Sequence, residues 1–338
     1  MIWMTWRQFR TPALATGAVV LVLLAGLALT WAEVTELATR TGYTGCQGDD
    51  CRAAGEAFLR ALHPEWASEL HLAAIAALYL LPALLGIFWG APLVARELES
   101  GTYRMVFSQS VSRSRWLLVK LAVGGAAAAL GAGLLSLVLT GWAQPIDGAS
   151  ADRMDPLVFA ARGIVPVGYA VLAFVVGVTA GLLLRRTLAA MAVTLLVIVS
   201  LQIAAPFVVR PWLAQPITTV SPLRVDGDYG ISMSPDDGRM TLHVEPDRRG
   251  DWILSSTTIT STGAEFSGPA DTTQCGPRAP RDRETCPRWL EGQNLSLKVS
   301  YVPGSTFWRL QWREFGVLIA VTVALSAFSL WWVRRRLV

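Results

Sequence analysis

Six long stretches of this 338-residue chain contain no Asp, Glu, Lys or Arg. Each has at least roughly the 20 residues that a helix needs to cross the apolar core of a bilayer. They cover residues 11–32, 71–95, 121–146, 163–184, 187–209 and 315–333. Hydrophobic residues make up 53% of the chain and charged residues only 16%, which is unusual for soluble domains. The pattern predicts an all-α polytopic membrane protein with six transmembrane helices.

Charged residues between these stretches divide unevenly between the two sides of a membrane. With the N-terminus placed inside, the inner segments carry 12 Lys or Arg against 2 Asp or Glu, and the outer segments carry 17 against 23. Because short cytoplasmic loops are rich in Lys and Arg, we expect both termini to be cytoplasmic. This topology explains the net charge of +4, so we expect no nucleic-acid partner. Cleavage of the first stretch as a signal peptide is the alternative, and it would leave five spans.

The segments that join the spans differ greatly in length. We expect an extracytoplasmic loop over residues 33–70, a cytoplasmic region over 96–120, an extracytoplasmic loop over 147–162 and a cytoplasmic tail over 334–338. Arg185 and Arg186 alone separate the fourth and fifth spans, which predicts a tight helical hairpin. Residues 1–10 are expected to form a cytoplasmic interfacial helix, although a simple anchoring flank would explain the same residues.

The longest outer segment, residues 210–314, has a composition different from that of the spans. Short pieces of alternating polarity are separated there by Gly, Pro and Asp, as between residues 240 and 260. Such alternation is typical of strands with one buried face. We therefore predict a small β-rich extracytoplasmic domain between the fifth and sixth helices.

All four cysteines fall on the side that the charge pattern makes extracytoplasmic. They are Cys46, Cys51, Cys275 and Cys286. Cysteines outside a membrane are usually oxidised, and we favour the local pairs Cys46–Cys51 and Cys275–Cys286 over the other two connectivities. Metal ligation is the alternative, but no His lies near either pair, so no metal site is expected.

Signatures of catalysis are missing from the sequence. The three His form no HExxH motif, there is no GxSxG elbow, and no Gly-Lys pair exists from which a Walker A motif could be built. We therefore expect no catalytic residue and no cofactor in this chain. The spans also lack the charged side chains with which ion-driven transporters bind or relay ions, which disfavours secondary transport.

Two pairs of glycines lie within spans at a spacing that permits close helix packing. They are Gly86 with Gly90 and Gly177 with Gly181. We interpret both pairs as ordinary packing sites within a bundle, and a dedicated dimer face is the alternative.

The long inner segment mixes charge with apolar residues. Met105, Val106 and Phe107 would expose an apolar surface to water, whereas Gly101 is suited to end a helix. We interpret the segment as a docking element for a cytoplasmic partner, with a solvated loop as the alternative.

A family resemblance rests on the same segment. Its motif Glu97-x-Glu99-x-Gly101-Thr102, followed by Gln109-Ser110-Val111-Ser112-Arg113-x-Arg115-Trp116 and Lys120, resembles the membrane subunits of ABC-2 type ATP-binding-cassette exporters, especially actinobacterial ones. The start Trp6-Arg7-Gln8-Phe9-Arg10 and the six spans also agree. Many members carry Pro at the position of Ser110, and residues 210–314 are not matched.

This resemblance implies roles for particular residues and partners. A coupling region over residues 96–116 would sit in a cleft of a separate ATPase subunit, and residues 1–10 would be the connecting helix. The implied coupling residues are Glu97, Glu99, Gly101, Thr102, Arg104, Arg113 and Arg115, and those of the connecting helix are Trp6, Arg7, Phe9 and Arg10. Two permease chains, as a homodimer or heterodimer in the bacterial plasma membrane, would work with two ATPases that bind the ATP and Mg.

The transported substrate is expected to be hydrophobic or amphipathic, because an ion inside the bilayer would find no charged partner in the spans. Uncharged polar residues that could orient it are Thr179, Thr194, Ser200 and Gln202, although Ser and Thr in helices often bond their own backbone. The alternative function is a membrane-anchored sensor or scaffold whose external domain binds a ligand.

Overall fold

The computed structural model describes residues 2–46, 50–62, 66–102, 112–223, 229–233, 240–244, 248–267 and 285–336. The chain divides into two compact units. The helical unit is Met1–Leu213 together with Phe307–Val338, and the inserted unit is Ala214–Thr306. The inserted unit thus interrupts the helical unit once, between its last two long helices.

Six helical spans of the described chain are long and apolar enough to cross a membrane. They are Arg10–Arg40, Trp66–Glu99, Arg113–Trp142, Val165–Leu184, Thr187–Ala214 and Gly304–Arg336. The predicted number of spans is therefore confirmed. Most of the helices run beyond the charge-free stretches, because charged residues at helix ends pair with one another or face the polar surroundings.

The helices are numbered here along the chain. They are α1 (Ile2–Arg40), α2 (Asp50–Leu62), α3 (Trp66–Leu84), α4 (Ala91–Glu99), α5 (Arg113–Trp142), α6 (Gln144–Ser150), α7 (Pro156–Ala160), α8 (Val165–Leu184), α9 (Thr187–Ala204), α10 (Arg210–Ala214), α11 (Thr285–Gly292) and α12 (Phe307–Arg336). A π-helical turn at Leu85–Gly90 joins α3 to α4 in the second span, and another at Ala205–Val209 joins α9 to α10 in the fifth.

Two predicted boundaries differ from the structure. One is near the start of the chain, and the other is that of the third span. Residues 2–10 are not a separate helix, because α1 continues from Ile2 to Arg40 with Pro12 inside it. The third span begins at Arg113 and ends at Trp142, whereas the sequence indicated residues 121–146. Ser112 explains this early start, since its hydroxyl caps the helix by accepting a hydrogen bond from the N–H of Arg115 at 3.3 Å.

The fourth span lies at the centre of the helical unit. In its apolar stretch 72% of the residues are buried, compared with 17% in the first and fifth spans. The second span packs closely on it through the glycine pairs: a Cβ at Gly86 would lie 2.8 Å from the carbonyl oxygen of Ala173, and one at Gly181 would lie 2.8 Å from that of Ala91. The prediction that these glycines serve packing within the bundle is confirmed.

The fourth and fifth spans form the predicted hairpin. Helix α8 ends at Leu184 and α9 begins at Thr187. Arg185 takes the left-handed conformation, with φ 54°, and its N–H donates to the carbonyl of Gly181, which ends α8. Two residues are therefore enough to reverse the chain.

The inserted unit contains antiparallel strands, which agrees with the predicted β-rich domain. Strands β1 (Ile217–Pro222), β5 (Ser296–Val302) and β4 (Trp252–Ile259) form one sheet in the order β1-β5-β4, and β2 (Tyr229–Met233) pairs with β3 (Met240–Val244). Alternate residues of β5, Leu297, Val299 and Tyr301, are buried together. The unit is shorter than the predicted 210–314, because residues 210–213 and 307–314 belong to helices of the helical unit.

One predicted disulfide is confirmed directly. Cys46 is bonded to Cys51 beside the start of α2. Cys286 is also disulfide-bonded. Cys275, its predicted partner, lies outside the described residues.

Candidate functional site

One end of the helical unit, here called the terminal face, carries the start of α1 and the end of α12. Because successive spans alternate in direction, the end of α4, the start of α5 and the turn between α8 and α9 belong to the same face. Contacts agree with this arrangement: Arg334 near the end of α12 donates from Nε to Ser114 Oγ at 2.7 Å. The predicted coupling region therefore begins and ends on the terminal face.

Glu97 forms a buried ion pair across two spans. Its Oε1 lies 2.6 Å from Lys120 Nζ, and the exposed fractions of the side chains are 10% for Glu97 and 4% for Lys120. Lys120 also donates to the carbonyl of Leu93 at 2.9 Å and lies 4.6 Å from the ring centre of Trp116. A buried charge is costly without its partner, so this contact holds α4 to α5.

Glu99 makes a different contact, at the exposed edge of the terminal face. Its Oε2 accepts hydrogen bonds from the Thr187 N–H at 3.1 Å and from the Thr187 hydroxyl at 2.7 Å. Thr187 is the first residue of α9, where backbone N–H groups lack partners within the helix and a negative charge is favourable. Glu99 therefore caps the fifth span from the end of the second.

Beyond Glu99 the chain turns sharply. Gly101 has φ 73°, a conformation that favours glycine, and Thr102 donates from its hydroxyl to the carbonyl of Glu97 at 3.4 Å. The motif thus ends a helix, as its glycine indicated. Arg104 and the apolar residues 105–107 lie outside the described residues, as does Ser110.

The remaining predicted coupling and connecting residues are placed as follows. Arg113 is half-buried at the first turn of α5, and Arg115 is exposed. Trp6, Arg7 and Phe9 belong to α1, but their side chains lie outside the described part of the structure. Arg10, which follows them, is exposed.

The four uncharged polar residues predicted to orient a substrate do not meet at one place. Thr179 donates to the carbonyl of Val175 and contacts Ser329 Oγ at 2.9 Å, while Thr194 donates to the carbonyl of Ala190. Gln202 donates to the carbonyl of Tyr79 at 3.0 Å, and Ser200 is exposed. Both threonines thus make the backbone contacts that membrane helices commonly show.

A second buried ion pair, which was not predicted from the sequence, lies at the opposite end of the helical unit. Arg210 Nε donates to Glu314 Oε2 at 2.8 Å, and the exposed fractions are 3% and 1%. Tyr169 donates from its hydroxyl to Glu314 Oε1 at 3.0 Å, and Arg210 also donates to the carbonyl of Pro156. This cluster joins the fourth, fifth and sixth spans. The sequence did contain a signal for this pair, because Arg210 and Glu314 have opposite charges and each directly adjoins a predicted span.

A third buried ion pair, between Arg162 and Asp147, gives His71 a specific partner. Arg162 is fully buried and forms two hydrogen bonds with Asp147, from Nε at 2.8 Å and from a terminal nitrogen at 2.9 Å. That terminal nitrogen also lies 2.7 Å from His71 Nε2. A guanidinium can only donate hydrogen bonds, so His71 Nε2 must be the acceptor here. The His71 ring is therefore neutral and carries its proton on Nδ1.

The comparison with protein families agrees with this arrangement of spans. A family model described as ABC-2 membrane transporter related matches residues 17–210. The chain belongs to this family. The match covers more than half of the permease and includes the predicted coupling motif and both residues that it contacts, Lys120 and Thr187. No curated protein and no solved structure is significantly similar to the permease.

Membership in this family makes the chain a multi-pass membrane component of a transporter. The matched range ends at Arg210. Glu314, the partner of Arg210, and the whole inserted unit therefore lie beyond the region that the family model describes. Glu97 and Glu99, the two carboxylates of the predicted coupling motif, lie within that region, and both bind other spans of the same permease.

Proposed function

We propose that this ABC-2 permease is the membrane subunit of an exporter that is driven by a separate ATPase. Two permease chains would act with two copies of the ATPase, which would bind ATP and Mg. The observation that supports this most strongly is the attachment of the coupling motif to three spans. It continues α4 of the second span, it is paired with the third through Glu97, and it caps the fifth through Glu99.

These attachments give the loop a mechanical role. An ATPase that displaces residues 96–116 would move the second span directly and the third span with it, because separating Glu97 from Lys120 would leave two buried charges unpaired. The contact of Glu99 with Thr187 is exposed, so it should be much easier to break than the buried pair. The fifth span could therefore separate from the loop during each cycle while the second and third spans move together.

The proposed substrate is hydrophobic or amphipathic and moves out of the cytoplasm or the inner leaflet of a bacterial plasma membrane. The pairing of buried charges supports this class of substrate. Each of the three buried acidic residues of the described helical unit, Glu97, Asp147 and Glu314, is paired with a buried basic residue. The basic residues at the end of α12, Arg334 to Arg336, favour a cytoplasmic terminal face, with both termini inside and the inserted unit outside.

Copurification tests the partnership. Tagged permease should retain an ATPase that carries a Walker A motif, and hydrophobic compounds should stimulate that ATPase in reconstituted vesicles. Glu99→Gln should reduce the stimulation several-fold without loss of the complex. Glu36→Gln is the matched control, since Glu36 is also exposed but lies at the other end of its span, paired with Arg40.

The result also separates the two candidate functions. A permease that retains no ATPase, but whose inserted unit binds a soluble ligand, would contradict the exporter and support the sensor or scaffold.

A further inference from the structure

A groove of about 720 Å³ opens in the half of the helical unit next to the terminal face. Its walls come from the first, second and fifth spans. This volume lies within the range of roughly 300 to 1,000 Å³ that is typical of small-molecule sites. The groove is open to its surroundings, and Phe88 in its wall is 46% exposed.

The lining of the groove changes from apolar to polar along the second span. Phe88 and Trp89 of the second span, Met191 of the fifth and Pro12 of the first supply its apolar part. Arg96, Ser100 and Thr102 form the outer part, next to the terminal face. Phe88 and Arg96 are eight positions apart, a distance of about 12 Å along the helix axis. The groove therefore has the polarity of an amphiphile lying parallel to the spans.

The charge at the polar end is positive. Glu97, which also lines the groove, is neutralised by Lys120, and the carboxylate of Glu99 is held at the start of α9. The guanidinium of Arg96 is exposed and makes no ion pair or hydrogen bond among the residues that the structure describes. Glu99 does not line the groove, so among the described residues that do, Arg96 is the one basic residue and Glu97, which Lys120 neutralises, is the one acidic residue.

We propose that this groove binds a single-chain amphiphile with an anionic head group. The chain would lie against Phe88, Trp89 and Met191, while the phosphate, sulfate or carboxylate head would receive charge-assisted hydrogen bonds from Arg96. The proposal deepens the proposed function by naming a class of substrate, and it rests on that function only for transport. Binding to the groove itself requires no ATPase.

The test uses two photoreactive probes of equal chain length, dodecyl phosphate and dodecyltrimethylammonium, each with a diazirine at the end of the chain. The purified full-length permease is held in nanodiscs of zwitterionic lipid, without ATPase, and labelled residues are mapped by mass spectrometry. Dodecyl phosphate should label the segments around Phe88 and Met191. Arg96→Gln should weaken its binding about tenfold, whereas Arg96→Lys should retain most of it because the positive charge remains.

Arg335→Gln is the control, because Arg335 is also exposed on the terminal face but does not line the groove. It should leave binding of the phosphate unchanged, and neither Gln variant should affect the ammonium probe. Equal binding of both probes, an unchanged affinity in Arg96→Gln, or a groove left unlabelled because a second copy covers it would overturn the proposal. Since no ATPase is present, a failure of copurification would leave this result intact.

Discussion

Arg210 and Glu314 lie 104 positions apart in the sequence, yet Nε of the arginine is 2.8 Å from Oε2 of the glutamate. Arg210 comes just before the chain enters the inserted unit, and Glu314 comes shortly after the chain leaves it. The pair therefore joins the two helices between which the insertion occurs. With Tyr169 as a third partner, it ties both helices to the central fourth span.

Breaking this pair should strongly destabilise the helical unit. Glu314→Ala leaves the buried guanidinium of Arg210 without its carboxylate, and such losses cost about 3 to 5 kcal/mol. Thermal unfolding of the purified protein in detergent should show a clearly lower Tm. Arg313→Gln, a change at the exposed neighbouring residue, should lower the Tm much less. The double variant Arg210→Met/Glu314→Leu should recover much of the loss, and no recovery would argue against the ion pair as the cause.

The buried pair at the terminal face should behave differently from the exposed contact beside it. Glu97→Gln should destabilise the protein by more than about 1 kcal/mol, because it leaves the Lys120 ammonium buried without a counter-charge. Glu99→Gln should destabilise the protein much less, because its contact is exposed. Tm measurements on both variants provide the comparison. Equal shifts, or a larger one for Glu99→Gln, would contradict the roles assigned to these carboxylates.

Close packing of the second and fourth spans should make Gly86 intolerant of a side chain. In Gly86→Ala the new methyl group would lie 2.7 Å from Thr194 Cγ2 and 2.8 Å from the carbonyl oxygen of Ala173, so the helices would have to separate. We expect a lower Tm and less monodisperse protein in size-exclusion chromatography. Gly131→Ala is the control, because nothing lies within 4 Å of its added methyl group and alanine favours the helix. A stabilised Gly86→Ala would refute the close contact.

The charge pattern predicts the orientation in the membrane. Single cysteines at Ser100, on the terminal face, and at Thr218, in β1, should differ in whole cells treated with an impermeant thiol reagent. Both positions are exposed in the structure. Thr218→Cys should react in intact cells, whereas Ser100→Cys should react only after the membrane is permeabilised. The opposite pattern of labelling would reverse the proposed topology.

Much of the helical architecture could be predicted from the sequence because it depends on local properties of the chain. The length of each apolar stretch predicted a spanning helix, and the two arginines between the fourth and fifth stretches predicted the hairpin. The alternation of polar and apolar residues predicted the β-rich insertion. The bond between Cys46 and Cys51 was predictable for the same reason, since only five positions separate the two residues. The motif from Glu97 to Thr102 also indicated the family, in agreement with the family match over residues 17–210.

Only the tertiary structure decided which charged residues become partners. No pattern in the sequence showed that Glu97 and Glu99, the carboxylates of the predicted coupling region, contact Lys120 and Thr187 of the same chain. Arg210 and Glu314 were predicted to lie at the two ends of an external domain, but they are paired in the helical unit. Such pairs depend on which helices are neighbours and on how each is rotated about its axis. Both are set by packing between distant segments, such as the glycine contacts of the second and fourth spans, and local sequence patterns do not encode them.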